Sequence, residues 1–161
     1  FEAQTQLPVV EDGCARAIVI MGELWGVRAP TTCHAATIYA EIVLAPGGAL
    51  PVEPDADERA VMLISGDATL DGHPLRQYEL AVLEPERDMT LASAHGARVM
   101  LLGGEAFATR RHVWWNFVSS SRDRINQAKE DWRAQRFPLV PGDEEERIPL
   151  PDGQPKTVSY P

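Results

Sequence analysis

The chain has 161 residues, of which 44% are hydrophobic and 24% charged, and this is the composition of one ordinary globular domain. Its formal net charge of -9 disfavours direct contact with a nucleic-acid backbone. No apolar run is long enough for a membrane helix and no signal-peptide pattern is present, so we expect a cytoplasmic protein that does not bind membranes. The two cysteines, Cys14 and Cys33, lack metal-type spacing and are expected to be free thiols.

Most of the chain has a β-type pattern. After an irregular segment at 1–14, interpreted as an interdomain segment, short β-type runs alternate with turn residues over 15–109, which predicts an all-β barrel or sandwich. Within this region, Asp71-Gly72 predicts a tight hairpin. The predicted strands are 17–24, 38–44, 60–65, 68–70, 80–83, 90–94 and 97–102.

A tryptophan-rich run opens the segment 110–140, which is predicted to hold a closing strand and a C-terminal helix. If residues 113–118 form one strand, its two tryptophans point to opposite faces, and a partner must then cover each face. The candidate interface is therefore Trp114, Trp115, Asn116 and Phe117.

One helix is predicted after this strand. Ser120 or Ser121 can cap it, and the pattern ends before Phe137-Pro138, because the residue before a proline avoids the helical region. Its apolar face, which includes Ile125 and Trp132, is expected to pack on the barrel. The rest of the chain, 141–161, is predicted to be an extended, solvated, acidic and proline-rich tail.

The spacing of glycines and charged residues resembles the first motif of small double-sheet barrels of the cupin type. That motif runs Gly, five residues, His-x-His, three or four residues, Glu, six residues, Gly, and a second motif adds one more histidine. Here the ligand positions between Gly47 and Gly66 carry Glu53, Asp55 and Arg59, and the second motif places Thr90 at the last one. The glycine spacing of the motif is kept, whereas each metal-ligand position carries a residue other than the one that the motif requires.

A metal at these positions is disfavoured, because Arg59 puts a permanent positive charge where a ligand belongs. We expect Arg59 to pair with the carboxylates of Glu53 and Asp55, and we assign no catalytic or metal-binding residue. An alternative stays open, in which the chain is a stand-alone ligand-binding or enzymatic cupin and Arg59 fixes the carboxylate of a ligand in a pocket with Glu53, Asp55 and Thr90.

Several segments together resemble the pirin family. They are the strand Met21-Gly22-Glu23, the turn before Gly47, the segment at 101–105, and above all WWNFVSSSRDRINQAKEDW with RFPLVPGD. The chain is similar to the C-terminal cupin domain of a two-domain protein. The resemblance implies a cupin-type double-stranded β-helix, or jelly-roll barrel, with one C-terminal α-helix packed on it.

In that family the N-terminal domain binds iron or another divalent transition metal through three histidines and a glutamate. Some members act as quercetin 2,3-dioxygenases and others as partners of transcription factors. The resemblance therefore implies a metal-free structural or interaction module that supports an N-terminal cupin domain of the same protein, and the isolated chain is not expected to be an enzyme. A homodimer of the isolated chain is a further expectation.

Overall fold

A computed structural model describes residues 3–151 and 158–160, and in it the chain forms two compact units that divide between Ala106 and Phe107. The division lies close to the predicted end of the barrel at residue 109. The segments 1–2, 152–157 and 161 lie outside the described residues, and they include parts of the predicted interdomain segment and of the predicted tail.

The first unit is built from short antiparallel strands. They are β1 (Val9–Glu11), β2 (Ala15–Met21), β3 (Glu23–Leu24), β4 (Val27–Arg28), β5 (Thr37–Leu44), β6 (Ala49–Val52), β7 (Glu58–Gly66), β8 (Thr69–Leu70), β9 (His73–Pro74), β10 (Leu80–Val82), β11 (Met89–Ala92) and β12 (Ala97–Gly104). One sheet has six strands in the order β1-β2-β5-β12-β7-β10, and the other has four in the order β6-β11-β8-β9. Strands β3 and β4 form a small ribbon.

Alternate residues of both sheets form one hydrophobic core. From the six-stranded sheet the buried side chains include Val19, Ile42, Val61, Val99 and Leu101, and from the four-stranded sheet they include Leu50, Val52, Leu70 and Leu91. This alternation is the period of a β-strand with one face turned to a core. The predicted all-β architecture is confirmed.

The predicted hairpin at Asp71-Gly72 is confirmed by the pairing of Leu70 with His73. Asp71 and Gly72 have φ values of 48° and 80°, so both lie in the left-handed region that this type of two-residue turn requires.

Strands β1 and β6 are among the strands that the sequence pattern did not predict. Strand β1 lies in the segment interpreted as interdomain, and it pairs antiparallel with β2, so this part of the segment belongs to the six-stranded sheet. Strand β6 contains Pro51, which argues against a strand because proline donates no hydrogen bond. The structure accommodates Pro51 because β6 lies at the edge of the four-stranded sheet.

The second unit consists of β13 (Arg111–Trp114), β14 (Phe117–Ser119), helix α1 (Arg122–Arg133) and β15 (Val158–Tyr160). The single strand predicted over 113–118 is wrong. The chain reverses at Trp115 and Asn116, so that Trp114 pairs with Phe117 in a hairpin, and Trp115 takes a positive φ of 52°. The alternation across two faces of one strand therefore does not exist.

Helix α1 begins where the sequence predicts. The Ser121 side chain accepts a hydrogen bond from the Arg124 amide and caps the helix, and Asp123 lies in the first turn, where the helix dipole favours an acidic residue. The buried residue of the helix is Ile125. The helix packs on β13 and β14. No helix in the described part of the chain is long and apolar enough to cross a membrane.

The predicted tail is attached to the second unit at two places. The Trp132 indole N–H donates to the carbonyl of Ile148 over 2.9 Å, and the Arg147 guanidinium donates to the carbonyl of Trp132. Further along, β15 pairs antiparallel with β13 and becomes an edge strand of the three-stranded sheet β14-β13-β15. These parts of the tail are structural elements of the second unit.

A carboxylate at the end of α1 gives a pH-dependent prediction. Hydrogen bonds from Gln127 and Arg136 hold the pKa of Asp131 below its usual value. Because the folded pKa is lowered, the associated stabilisation is present above the unfolded pKa and is lost as the pH falls through the folded one. We expect Gln127→Ala to raise the pKa of Asp131, as measured by NMR titration of its carboxyl carbon. The variant Asn126→Ala, at an exposed position of the same helix, leaves both donors in place and serves as the control. An unchanged Asp131 titration in Gln127→Ala contradicts the assignment.

Candidate functional site

Arg59 is a buried cation at one ligand position of the cupin-like frame. Arg59 is 2% exposed and lies in strand β7, which contributes apolar side chains to the core. The guanidinium donates four hydrogen bonds to main-chain carbonyls. One nitrogen, Nη1, contacts the carbonyls of Val52 and Glu53 at 3.1 and 2.7 Å, and Nη2 contacts those of Glu84 and Arg87, each at 2.8 Å.

These four carbonyls belong to two separate segments. Val52 ends strand β6 and Glu53 follows it within the first motif, whereas Glu84 and Arg87 flank the turn that follows β10 in the second motif. The guanidinium therefore joins the two motifs. The planar fork of arginine suits this task, because it directs several donors at fixed angles.

The expected ion pair between Arg59 and the carboxylates is wrong. Glu53 and Asp55 are exposed, and the contact of Arg59 with Glu53 is to the main-chain oxygen. Main-chain carbonyls carry only partial charges, so the guanidinium is solvated by dipoles and not neutralised by an acid. Its Nε atom is buried without a hydrogen-bond partner in the described structure.

Thr90 is held by its main chain. Its amide donates to the Asp71 carboxylate over 2.7 Å, and its carbonyl accepts from the Asp71 amide over 2.9 Å. Arg87, in the turn held by Arg59, also pairs with Asp71 over 2.9 Å. Residue Thr90 itself is exposed on β11. At the position where the second motif has a histidine ligand, Thr90 therefore holds the Asp71 turn through its main chain.

The four predicted pocket residues therefore do not share one pocket. Arg59 is buried, and both terminal nitrogens of its guanidinium already donate their hydrogen bonds to main-chain carbonyls. Glu53, Asp55 and Thr90 are exposed. Asp55 lines an open cavity of about 700 Å³ with Arg28, His34 and Glu105, among other residues. The alternative required Arg59 to bind the carboxylate of a ligand. The Arg59 guanidinium is not accessible to a ligand, so the structure gives this alternative no support.

A transition metal does not fit these frame positions. Two exposed carboxylates, a hydroxyl and a hydrogen-bonded guanidinium lack the imidazole donors of a cupin site, and the guanidinium repels a cation. Within residues 3–151 and 158–160, no group of three or more His, Cys, Asp or Glu side chains is arranged to hold a metal ion.

The predicted interface residues form the centre of an aromatic cluster inside the second unit. Trp114 is only 6% exposed. The ring of Trp115 meets that of Trp132 at a centroid distance of 5.4 Å, and Phe117 stacks on Phe137 at 5.8 Å. Three of the four residues are therefore occupied by contacts within their own unit, while Asn116 is exposed at the turn.

The model of the pirin C-terminal cupin domain matches residues 39–138 of this chain. The chain belongs to the pirin family. As a pirin C-terminal cupin, it is 37% identical over 151 residues to the pirin-like protein of Caulobacter vibrioides, a match that covers 94% of this chain and 52% of the relative. The predicted family and cupin fold are confirmed.

Two solved structures share the fold of this chain. A crystal structure of quercetin 2,3-dioxygenase from Acinetobacter baumannii superimposes with a TM-score of 0.78 at 29% identity, covering 94% of this chain and 53% of that one. A second quercetin 2,3-dioxygenase structure from the same organism has a TM-score of 0.75 at 17% identity, over 85% of this chain and 48% of that one, and shows the shared fold. The chain spans about half the length of these relatives.

Proposed function

We propose that this pirin C-terminal cupin is a metal-independent structural module that supports a metal-binding N-terminal cupin domain of the same protein. The observation that carries the proposal is the buried Arg59 guanidinium, which links the two cupin motifs through four main-chain carbonyls. A barrel whose motifs are joined in this way needs no metal to hold them together.

The activity of the whole protein is part of the same proposal. The Acinetobacter relative, with 29% identity over nearly the whole chain, is named a quercetin 2,3-dioxygenase. We assign oxygen-dependent flavonol chemistry to the two-domain protein, with the metal, iron or another divalent transition metal, held by N-terminal residues. The present chain supplies none of the ligands to that chemistry, since its frame positions offer no suitable donor set.

The direct test measures the metal content and activity of the purified 161-residue chain. We expect less than roughly 0.1 iron, copper or manganese per chain by elemental analysis, and no consumption of quercetin above the buffer rate, because the frame lacks imidazole ligands. One tightly held transition metal per chain, or turnover of quercetin by the chain alone, contradicts the proposal.

A matched variant tests the part played by Arg59. The double substitution Glu53→His with Asp55→His restores two imidazoles of the first motif while it leaves the guanidinium in place. We expect this variant to stay free of stoichiometric metal, because its two imidazoles stand at exposed positions and the buried Arg59 still fills the third ligand position. Stoichiometric metal in the double variant contradicts the proposal that these frame positions cannot hold a metal.

A further inference from the structure

An open groove of about 600 Å³ lies in the second unit, beside the end of α1 and the chain that follows it. Its apolar lining is formed by Trp132, Phe137, Pro138, Leu139, Val140 and Ile148. Leu139, Val140 and Ile148 are 65%, 64% and 63% exposed, and Phe137 is 40% exposed. Four of the exposed large apolar side chains in the described part of the chain therefore line one groove, and such a concentration marks an interaction site.

Backbone hydrogen bonds fix the shape of this groove. Where α1 ends, the Arg136 amide donates to the carbonyl of Asp131 over 2.8 Å, which turns the chain back across the helix end. Beyond the apolar segment, the Asp143 amide donates to the carbonyl of Val140 over 3.0 Å, and Gly142 takes the positive φ of 83° that this tight turn requires. An occupant therefore meets a surface that is already formed, and little conformational entropy is lost when it binds.

The rim of the groove is acidic. It carries four consecutive exposed carboxylates, those of Asp143, Glu144, Glu145 and Glu146. None of the ion pairs between described residues includes any of them. The neighbouring Arg147 guanidinium donates to the carbonyl of Trp132 and lies 5.9 Å from the centre of the Trp132 ring. Adjacent carboxylates raise the negative potential of the rim, and an aromatic ring attracts cations, so the groove favours a positively charged occupant.

The open cavity of the first unit provides an internal comparison. It is also lined by carboxylates, those of Asp55, Asp57 and Glu105, and its volume of about 700 Å³ is similar. Its apolar lining, however, consists mainly of alanines and the buried Ile38. That cavity offers charge without large apolar contacts, whereas the groove of the second unit offers both.

We infer that the groove of the second unit is a docking site for a peptide segment of another protein, in which large apolar side chains stand next to Lys or Arg. The apolar side chains pack on Leu139, Val140 and Ile148, and the cations face the carboxylates of the rim. The need for both groups separates this segment from cations that any acidic protein attracts. The groove and the Arg59 link lie in different units, so the inference is independent of the proposed function.

The binding experiment selects random peptides displayed on phage against the 161-residue chain. We expect the enriched sequences to combine Lys or Arg with large apolar residues. An enriched peptide in which serine replaces the apolar residues is expected to bind roughly ten-fold more weakly, because it keeps only the attraction between charges. A selection that enriches no peptide, or equal binding of the serine-substituted peptide, overturns the inference.

A substitution in the groove shows whether the enriched peptide binds there. Leu139→Ser is expected to weaken binding roughly ten-fold and to leave the melting temperature of the chain unchanged, since the side chain is exposed. Val118→Ser, at an exposed position of the same unit outside the groove lining, is the matched control and is expected to keep full affinity. Unchanged binding to the Leu139→Ser variant overturns the assignment of the groove.

Two double variants test the acidic rim. Glu144→Gln with Glu145→Gln is expected to weaken binding roughly ten-fold at low salt and less at high salt, because salt screens exposed charges. Asp55→Asn with Glu105→Gln makes the same change of charge in the cavity of the first unit and is expected to leave binding unchanged. Equal weakening by both double variants means that only the net charge of the chain matters, which overturns the docking site.

Discussion

Replacing Arg59 with alanine is expected to destabilise the first unit by about 3–5 kcal/mol, because four main-chain carbonyls lose charge-assisted hydrogen bonds and a cavity remains. The thermal midpoint should fall by roughly 10 °C for a chain of this size. Arg59→Lys keeps the charge but has one nitrogen where arginine has a fork, so it should recover only part of the loss. Urea titration followed by circular dichroism measures both variants.

An exposed arginine of the same sheet is the control for this experiment. Arg98 makes one ion pair with Glu41 and its side chain is 52% exposed, so Arg98→Ala should cost less than about 1 kcal/mol. If Arg59→Ala were as mild as Arg98→Ala, the guanidinium would not be the link between the two motifs. The comparison thus separates a structural role for Arg59 from its mere presence in the core.

Trp132→Ala is expected to destabilise the second unit by about 3 kcal/mol, since it removes the ring that contacts Trp115, Phe117 and Phe137. The substitution also removes the indole hydrogen bond to the Ile148 carbonyl, which attaches the tail. Near-ultraviolet circular dichroism should lose most of its tryptophan signal. Hydrogen exchange of the amides in β13 and β14 should become faster.

Two further variants show how much of the stability lost in Trp132→Ala comes from the hydrogen bond and how much from the buried ring. Trp132→Phe keeps an aromatic ring but lacks the N–H donor, so its cost should be about 1 kcal/mol. Phe107→Ala removes a ring that is 57% exposed and contacts the Arg111 guanidinium, and its cost should be below about 1 kcal/mol. Equal stability of Trp132→Ala and Phe107→Ala would contradict a central position for Trp132 in the aromatic cluster.

Local signals in the sequence were enough to predict the start of the helix and the tight hairpin. Ser121 and the Asp71-Gly72 pair each have a side-chain or backbone preference that acts over a few residues. The Trp115-Asn116 turn has no glycine, and nothing local marks Trp115 as a residue with positive φ. The aromatic pattern therefore predicted one strand where the chain forms two.

The role of Arg59 was beyond a sequence argument for another reason. Its partners are main-chain carbonyls, two of them 25 and 28 residues further along the chain, and a carbonyl has no residue type that a pattern could detect.

The guanidinium link also decides how this domain responds to acid and to chelators. A metal site built on imidazoles comes apart when its histidines are protonated or its ion is extracted. Arginine keeps its charge across the pH range that proteins tolerate, and the carbonyls it holds do not titrate. The connection between β6 and the turn after β10 is therefore insensitive to both treatments. In the two-domain protein that we propose, acid or chelation should loosen the metal-binding domain first and leave this domain folded.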